Sequence, residues 1–184
     1  MKLLTFFCSL MVVTGAFAAE ETARSSDLPA DALVPQRNML HIGIVVKDMD
    51  ATLAHWTKFL GLAEKPATIV ATGHHANPTV FRGKPSAAKV RLAFIQLENI
   101  QVELLSPLDD EPNHWQEFLD TKGEGVHHMA FAVKGLGEAY VDAYDAAGLP
   151  IIMSGGWDGG EYGYADTHDA LGATVELLER YGEP

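Results

Sequence analysis

The sequence contains very little cysteine and few basic residues. Its 184 residues include one cysteine, Cys8, and 13 Lys and Arg against 25 Asp and Glu, which gives a formal net charge of −12. Because one cysteine cannot close an intramolecular disulfide, the fold must rest on a packed core and on any bound metal. The negative charge disfavours binding to nucleic acids and to anionic membrane surfaces. We therefore expect neither nucleic acid nor a membrane as a partner.

The apolar run that opens the chain is too short to span a bilayer. It follows Lys2, extends over residues 3–13 and precedes a small-x-small cleavage pattern at residues 16–18. The sequence therefore predicts a signal peptide at residues 1–18 and an exported protein, either periplasmic or secreted. Residues 19–38 show no periodicity and are predicted to form an exposed lead-in.

An internal repeat organises the rest of the chain. Residues 41–46 and 128–133 each consist of a histidine followed by a short run of apolar and small residues, and a pattern typical of an amphipathic helix follows both. Near the end of each half comes the sequence Val-Glu-Leu-Leu, at residues 102–105 and 175–178. Such self-similarity indicates that one supersecondary unit occurs twice. Each unit then supplies one histidine at its opening strand and one glutamate at its closing strand.

Hydrophobic periodicity and turn residues predict the same element order, β-α-β-β-β, in both units. In the first unit Asp48 or Asp50 would cap a helix that ends before Gly61, and between the units Asn113 would cap a short helix. Two segments rich in glycine or proline are predicted to be loops, at residues 72–88 and 154–160.

The histidine and the glutamate of each unit could form one site. Side chains of a strand alternate between the two faces of a sheet, so His41 and Gly43 would share a face. If each unit curls its strands into half of a sheet-lined cleft, the histidines and glutamates can converge. Two neutral imidazoles and two carboxylates suit one first-row divalent ion such as Zn, Co, Ni or Mn, whose charge the carboxylates cancel. The alternative for glutamates among apolar neighbours is a structural salt bridge.

These motifs resemble those of the vicinal-oxygen-chelate superfamily, which includes the bacterial glyoxalase I and methylmalonyl-CoA epimerase enzymes. The resemblance covers residues 39–180 and includes the Gly-x-Gly-Val-His-His motif at residues 123–128. It implies an α+β fold in which two β-α-β-β-β modules form a curved mixed sheet around a metal cleft, the glyoxalase/bleomycin-resistance/extradiol dioxygenase fold. Residues 39–180 would form a single domain, with module one at 39–106, a connector at 107–122 and module two at 123–180.

Carried over residue by residue, the resemblance implies that one divalent metal ion is bound by His41, Glu103, His128 and Glu176. His128 is preferred to its neighbour His127 because it aligns with His41 in the repeat. His127 is then expected to point to the opposite face of the sheet.

The chemistry shared by the superfamily is bidentate binding of substrate oxygens to the metal, which stabilises the enolate or enediolate formed when a base removes a proton next to a carbonyl. The resemblance thus implies an isomerase or lyase that acts on a small oxygenated carbonyl compound, with Glu176 as the base and Glu103 as the symmetric candidate. The chain departs from the methylmalonyl-CoA epimerases at residues 86–89, which lack the extra glutamate that those enzymes carry there.

Two other functions remain open. An extradiol-type ring-cleaving dioxygenase would use two histidines and one glutamate, and the carboxylate at Glu103 argues against it. A non-catalytic protein could use the same cleft to sequester a small molecule, although the full ligand set favours an enzyme. Dimers are common in the superfamily, so the chain could also form a homodimer.

Other residues are expected at the cleft or away from it. Arg82, Trp157, Tyr162 and Tyr164 could close over a substrate, with residues 154–160 as a glycine-rich lid. The other histidines are not expected to bind metal, because exposed positions or a turn are expected for His55, His74, His75, His114 and His168.

Overall fold

The computed structural model of the protein describes residues 32–34 and 36–182. The predicted signal peptide, residues 1–18, and most of the predicted lead-in lie outside the described residues. No helix among the described residues is both long enough and apolar enough to cross a membrane. In chain order the elements are β1 (Met39–Val45), α1 (Met49–Leu60), β2 (Thr68–Ala71), β3 (Val80–Phe81), β4 (Lys84–Pro85), β5 (Val90–Gln96), β6 (Gln101–Pro107), α2 (His114–Lys122), β7 (Gly125–Ala132), α3 (Glu138–Ala146), β8 (Ile151–Trp157), β9 (Gly160–Ala165), α4 (His168–Leu171) and β10 (Thr174–Arg180).

The ten strands of the described residues form one sheet, in the order β2-β5-β6-β1-β7-β10-β9-β8-β3-β4. Outward from the centre, module one is ordered β1-β6-β5-β2, and module two repeats this order as β7-β10-β9-β8. The first strand of each module runs parallel to its last strand, and β1 and β7 join the modules as an antiparallel pair. The predicted fold class is confirmed: this is an α+β protein whose curled mixed sheet forms half a barrel.

Helix α1 forms where the sequence predicts it. The side chain of Asp48 accepts a hydrogen bond from the Ala51 amide at 2.9 Å, and Gly61 ends the helix with a φ of 65°. Leu53 of this helix is fully buried and packs in a cluster that includes Leu104 of β6. The helix therefore covers one face of module one.

Helix α3 covers the equivalent face of module two. Its buried Tyr144 packs in a cluster with Val175 and Leu177 of β10. Because successive side chains of a strand point to opposite faces, Glu176 projects from the face that α3 leaves uncovered. Both helices thus pack on one face of the sheet, and the candidate site residues lie on the other.

Part of the segment predicted to be a loop, residues 72–88, forms the small hairpin of β3 and β4, so the prediction is wrong there. Arg82 and Gly83 form its turn with φ values of 47° and 74°, as the type I′ turn of a two-residue hairpin requires. Strand β3 pairs with β8, where Phe81 lies opposite Met153. Module one therefore contributes a strand to the sheet of module two.

The glycine-rich segment at residues 154–160 is not a loop, contrary to the prediction. Most of it belongs to β8, which pairs with β9 through a tight turn. A Cβ at Gly155 would lie 2.8 Å from Tyr162 Oη, and one at Gly156 would lie 2.9 Å from Asn77 Nδ2. These glycines therefore allow close packing in a strand rather than the motion of a lid.

The end of the predicted lead-in is not fully exposed. Leu33 and Val34 are half-buried and pack against the core of module two. The hydroxyl of Tyr144 lies 3.5 Å from the carbonyl oxygen of Leu33. These contacts extend the packed structure a few residues ahead of β1.

Candidate metal centre

Each of the four central strands contributes one side chain to a single cluster. The four residues are His41 on β1, Glu103 on β6, His128 on β7 and Glu176 on β10. All four are buried, and one donor atom of each lies within 4.8 Å of the others. The structure therefore brings together the four residues that the sequence predicts as metal ligands.

The donor atoms are spaced like ligands that share one ion. His41 Nε2 lies 2.9 Å from Glu176 Oε2, 3.0 Å from His128 Nε2 and 3.3 Å from Glu103 Oε2. His128 Nε2 lies 3.3 Å from both carboxylate oxygens. Ligands bound at about 2.0–2.2 Å and at right angles to each other are about 3 Å apart. Two imidazole nitrogens and two carboxylate oxygens at this spacing fit a divalent ion.

In the metal-free protein, protons on the histidines offset the negative charge of the two glutamates. Burial disfavours the charged form of His41, but hydrogen bonds to Glu103 and Glu176 outweigh it and raise the pKa of His41 to about 10. Burial likewise opposes ionisation of Glu176, but the nearby His128 and His41 hold the pKa of Glu176 below its ordinary value. A divalent cation would replace these protons as the partner of the two carboxylates.

Gly43 provides the space for the ring of His128. The two residues pair across β1 and β7. A Cβ at position 43 would overlap with Cε1, Nδ1 and Nε2 of that ring. The small size of Gly43 therefore decides where one of the candidate ligands can lie.

Residues 40–165 match the family described as the Glyoxalase/Bleomycin resistance protein/Dioxygenase superfamily. The chain belongs to this superfamily. The predicted resemblance to the vicinal-oxygen-chelate proteins is thereby confirmed. Members of the superfamily typically bind a divalent metal, and the buried cluster of two histidines and two glutamates could hold one.

The chain is similar to several individual proteins, which include an uncharacterised protein and a methylmalonyl-CoA epimerase. The uncharacterized protein YqjC of Bacillus subtilis (strain 168) is 29% identical over 147 residues, which are 78% of this chain and 92% of that protein. The crystal structure of hypothetical protein BH1468 from Bacillus halodurans C-125 has 23% identity and a TM-score of 0.55, and the match covers 80% of this chain and 96% of that chain. A Streptomyces coelicolor methylmalonyl-CoA epimerase variant in complex with 2-nitronate-propionyl-CoA has 20% identity and a TM-score of 0.50, over 80% of this chain and 98% of that chain. The two structural similarities support the fold.

His127 does not point away from the site, contrary to the prediction. The register of β1 and β7 shifts after the pair of Gly43 and His128, because Ile44 pairs with Val126. His127 is therefore the extra residue of a β-bulge. Its side chain is fully buried, and its Nδ1 lies 2.9 Å from Nδ1 of His128. Burial and the charge of His128 lower the pKa of His127 well below its ordinary value, so the ring is neutral.

His114 and Arg82 also differ from the prediction. His114 was expected to be exposed but is buried in the first turn of α2, where its Nε2 lies 3.1 Å from Thr174 Oγ1. Burial lowers the pKa of His114 to about 4. Arg82 was expected at the cleft but donates hydrogen bonds of 2.7 and 3.2 Å to the carboxylate of Glu117. Both differences arise from the docking of α2, which the sequence does not reveal.

The remaining histidines lie mostly where they were expected. His55 and His75 are exposed. His168 is the first residue of the short helix α4. His74 is partly buried at the cleft, and its Nε2 lies 2.8 Å from Asp158 Oδ1. None of these side chains contributes to the cluster of four.

A cleft of about 580 Å³ opens onto the cluster. Trp157, Tyr162 and Tyr164 line it, as the sequence predicts. Trp115 of α2 lines it as well. The indole Nε1 of Trp115 donates a hydrogen bond of 3.2 Å to Tyr164 Oη. The cleft thus has an aromatic wall held together by a hydrogen bond.

The two glutamates have different neighbours across the sheet. Tyr164 of β9 pairs with Glu176 of β10. At the equivalent position of module one, Phe94 of β5 pairs with Glu103 of β6. The duplicated modules therefore place a phenol beside one carboxylate and a phenyl ring beside the other.

Proposed function

We propose that the protein is a divalent-metal-dependent isomerase or lyase that removes a proton next to the carbonyl group of a small oxygenated compound. The observation that carries this proposal is the convergence of two imidazole nitrogens and two carboxylate oxygens within 4.8 Å, beside an open cleft. Membership of the superfamily supports it, because epimerases and glyoxalases are among its enzymes.

His41, Glu103, His128 and Glu176 would hold the ion through their imidazole Nε2 and carboxylate Oε2 atoms. The donor set suits Zn, Co, Ni or Mn. A bound divalent ion would supply Lewis-acid stabilisation of the negative charge that develops on the substrate oxygen. His41 and His128 keep their Nε2 atoms directed at the carboxylates, which orients the site before the substrate arrives.

Glu176 is the proposed base. Although Glu176 is only 3% exposed, the nearby imidazoles hold its pKa below its ordinary value, so the carboxylate is ionised at neutral pH, which is the form that a base requires. The proton would move from the substrate carbon to Oε1 of Glu176, the carboxylate oxygen that is not assigned to the ion. An isomerase would then return it to a neighbouring carbon, whereas a lyase would lose a leaving group from that carbon. Glu103, the equivalent residue of module one, is the symmetric candidate for the base.

The segment at residues 86–89 supports a reaction with one base rather than two. It contains no carboxylate, and the hydroxyl of Ser86 donates a hydrogen bond to the Pro112 carbonyl at 2.6 Å. This segment therefore offers no carboxylate as the second base of an epimerisation.

Deuterium exchange tests the proposal. Metal-loaded protein would be incubated in heavy water with a panel of α-hydroxy carbonyl compounds and keto sugars, and loss of the α-proton signal would be followed by proton NMR. We expect exchange with at least one compound, its loss in Glu176→Gln, and full retention in the exposed control Glu98→Gln. Binding without exchange would indicate a sequestering protein. Iron-dependent oxygen uptake with catechols would indicate a ring-cleaving dioxygenase.

A further inference from the structure

The cleft beside the cluster indicates the class of substrate. We infer that the substrate joins a metal-chelating carbonyl group to an apolar, ring-sized body that carries no phosphate. The chelating group rests on the proposed function, whereas the evidence for the apolar body comes from the cleft alone.

The walls next to the cluster are apolar. Leu105 and Leu178 follow Glu103 and Glu176 by two residues, so each points to the same face of its strand as the carboxylate, and both line the cleft. The outer strands add Val90, Leu92, Phe94, Tyr162 and Tyr164 to the lining. A ligand that reaches the cluster must displace water from this hydrocarbon surface, which favours an apolar ligand body.

Large hydrophobic side chains also stay exposed around the cleft. Ile69 and Val70 are 54% and 57% exposed, and Phe94 and Trp157 are each 39% exposed. All four line the same cleft, from β2, β5 and β8. Single exposed hydrophobic residues are common, but a group of them around one cleft is typical of a binding surface.

Basic side chains are scarce in the lining. Arg180 is the only Lys or Arg among the described residues that line the cleft, whereas Glu103, Glu176 and Asp158 are acidic. Phosphate groups are usually bound by several Arg and Lys side chains. A coenzyme A thioester or a phosphorylated sugar would therefore meet acidic groups without a cationic cluster to bind it.

The size of the cleft agrees with one ring-sized molecule. Its volume of about 580 Å³ lies within the range of roughly 300–1,000 Å³ that is usual for small-molecule sites.

The apolar body can be tested without metal. Binding of acetophenone and of acetone to the metal-free protein would be compared by ligand-observed NMR. We expect acetophenone to bind at least about tenfold more tightly, because its ring would be buried against the walls. Phe94→Ala should weaken acetophenone binding, whereas Phe59→Ala, which removes an exposed phenyl ring of α1 that does not line the cleft, should not. Equal binding of the two ketones would overturn the inference.

A second comparison separates this inference from the proposed function. With the metal-loaded protein, we expect benzohydroxamate, an oxygen-oxygen chelator, to bind more tightly than acetohydroxamate, and a phosphate-bearing hydroxamate to bind less tightly than either. If acetophenone binds as expected but no hydroxamate gains affinity from the metal, the apolar body stands and the proposed metal chemistry fails. If acetohydroxamate binds as tightly as benzohydroxamate, the metal chemistry stands and the apolar body is wrong.

An independent observation concerns His127. The β-bulge of β7 places His127 Nδ1 2.9 Å from His128 Nδ1, and both side chains are fully buried. We infer that His127 is a positioning residue that selects the tautomer in which His128 can bind metal through Nε2. Metal-bound histidines usually donate their other ring N–H to a carboxylate, a backbone carbonyl or water, and here an imidazole takes that place.

Binding of an ion by His128 Nε2 would fix which nitrogen of each of the two rings carries the proton. For His128 Nε2 to bind an ion, the proton of this neutral ring must lie on Nδ1. His128 Nδ1–H can then donate only if His127 Nδ1 accepts, so the proton of His127 must lie on its Nε2. The opposite tautomer of His127 would force a proton onto His128 Nε2 and block the metal ligand.

Nitrogen NMR and two substitutions test this role. In the zinc-loaded protein we expect a scalar coupling through the hydrogen bond between His128 Nδ1 and His127 Nδ1, with the proton on His128. His127→Phe, which keeps the ring but removes the acceptor, should lower zinc affinity about 10- to 100-fold in a chelator competition. His127→Gln, whose carbonyl oxygen can accept, should recover part of that loss.

Two results would contradict the role of His127. The first is an NMR result on the unaltered, zinc-loaded protein: a proton on His127 Nδ1 would contradict the role. The second is a binding result: equal zinc affinity of His127→Phe and the unaltered protein would contradict the role. The NMR measurement on the unaltered protein keeps the test decisive if a substituted protein does not fold.

Discussion

The imidazole ring of His128 lies directly over Gly43, in the space that any larger residue at position 43 would fill. A Cβ at this position would overlap with three atoms of the ring. The pairing of Gly43 with both Glu103 and His128 places it between two candidate ligands. Gly43 is therefore needed for the site even though it has no side chain to contribute.

Gly43→Ala should lose metal affinity while keeping the fold. The added methyl group displaces the His128 ring, and without that ligand we expect zinc affinity to fall at least about a hundredfold. Isothermal titration calorimetry measures the affinity, and circular dichroism checks the fold. Gly73→Ala is the matched control, because Gly73 lines the cleft and its new Cβ would lie 3.4 Å from the nearest atom, the Thr79 amide nitrogen. Unchanged zinc binding by Gly43→Ala would contradict this prediction.

Removal of metal should lower the melting temperature. A ligand at about 100 times its dissociation constant stabilises a protein by about 2.7 kcal/mol. For a chain of this size that corresponds to a shift of about 5–10 °C. Differential scanning calorimetry with excess zinc and with a chelator measures the shift. The same comparison in Glu176→Gln should give a much smaller difference, and equal shifts in both proteins would show that the ion binds elsewhere.

The metal-free protein should lose stability as the pH rises from about 6.5 to about 10. Burial opposes protonation of His41, but Glu103 and Glu176 raise its pKa from 6.5 to about 10 in the folded state. The folded protein therefore holds a proton that the unfolded chain releases, and this contribution is complete below the unfolded pKa and is lost as the pH passes through the folded pKa. Urea midpoints in the presence of a chelator should fall across this range. His41→Gln should show a shallower fall, and a midpoint independent of pH in the unaltered protein would contradict the assignment.

Gly83→Ala should destabilise the protein by about 1–2 kcal/mol, because position 83 has a φ of 74° that L-residues adopt at a cost. The hairpin turn that it closes carries β3, which pairs with β8 of the other module. Gly73→Ala is the control, since its φ lies outside the left-handed region and its new Cβ would lie 3.4 Å from the nearest atom. Urea unfolding compares the three proteins. A loss for Gly73→Ala as large as that for Gly83→Ala would show that backbone conformation is not the cause.

The repeat made much of the site predictable. Histidine and Val-Glu-Leu-Leu recur in the same order, and strand alternation then places imidazoles and carboxylates on one face of the sheet. The boundaries of α1 also followed from local rules, because Asp48 and Gly61 act through their immediate neighbours. Features that depend on short-range patterns were thus within reach of the sequence.

Features that depend on distant partners were not predictable. The hairpin of β3 and β4 has strands of two residues and takes its partner from β8, more than sixty residues along the chain. The burial of His114 depends on how α2 docks near Thr174. The orientation of His127 depends on a bulge, which shifts a side chain to the other face without any change in the hydrophobic pattern.

The unequal neighbours of the two glutamates have a consequence for stereochemistry. Four donors from two equal modules would present nearly the same surroundings to either orientation of a chelating ligand. Tyr164 beside Glu176 and Phe94 beside Glu103 remove that equivalence, because a tyrosine pairs with one glutamate across the sheet and a phenylalanine pairs with the other. A chelating ligand would therefore make different contacts in its two orientations, so the protein has the structural basis to hold the ligand in one orientation and to present one defined face of it to Glu176.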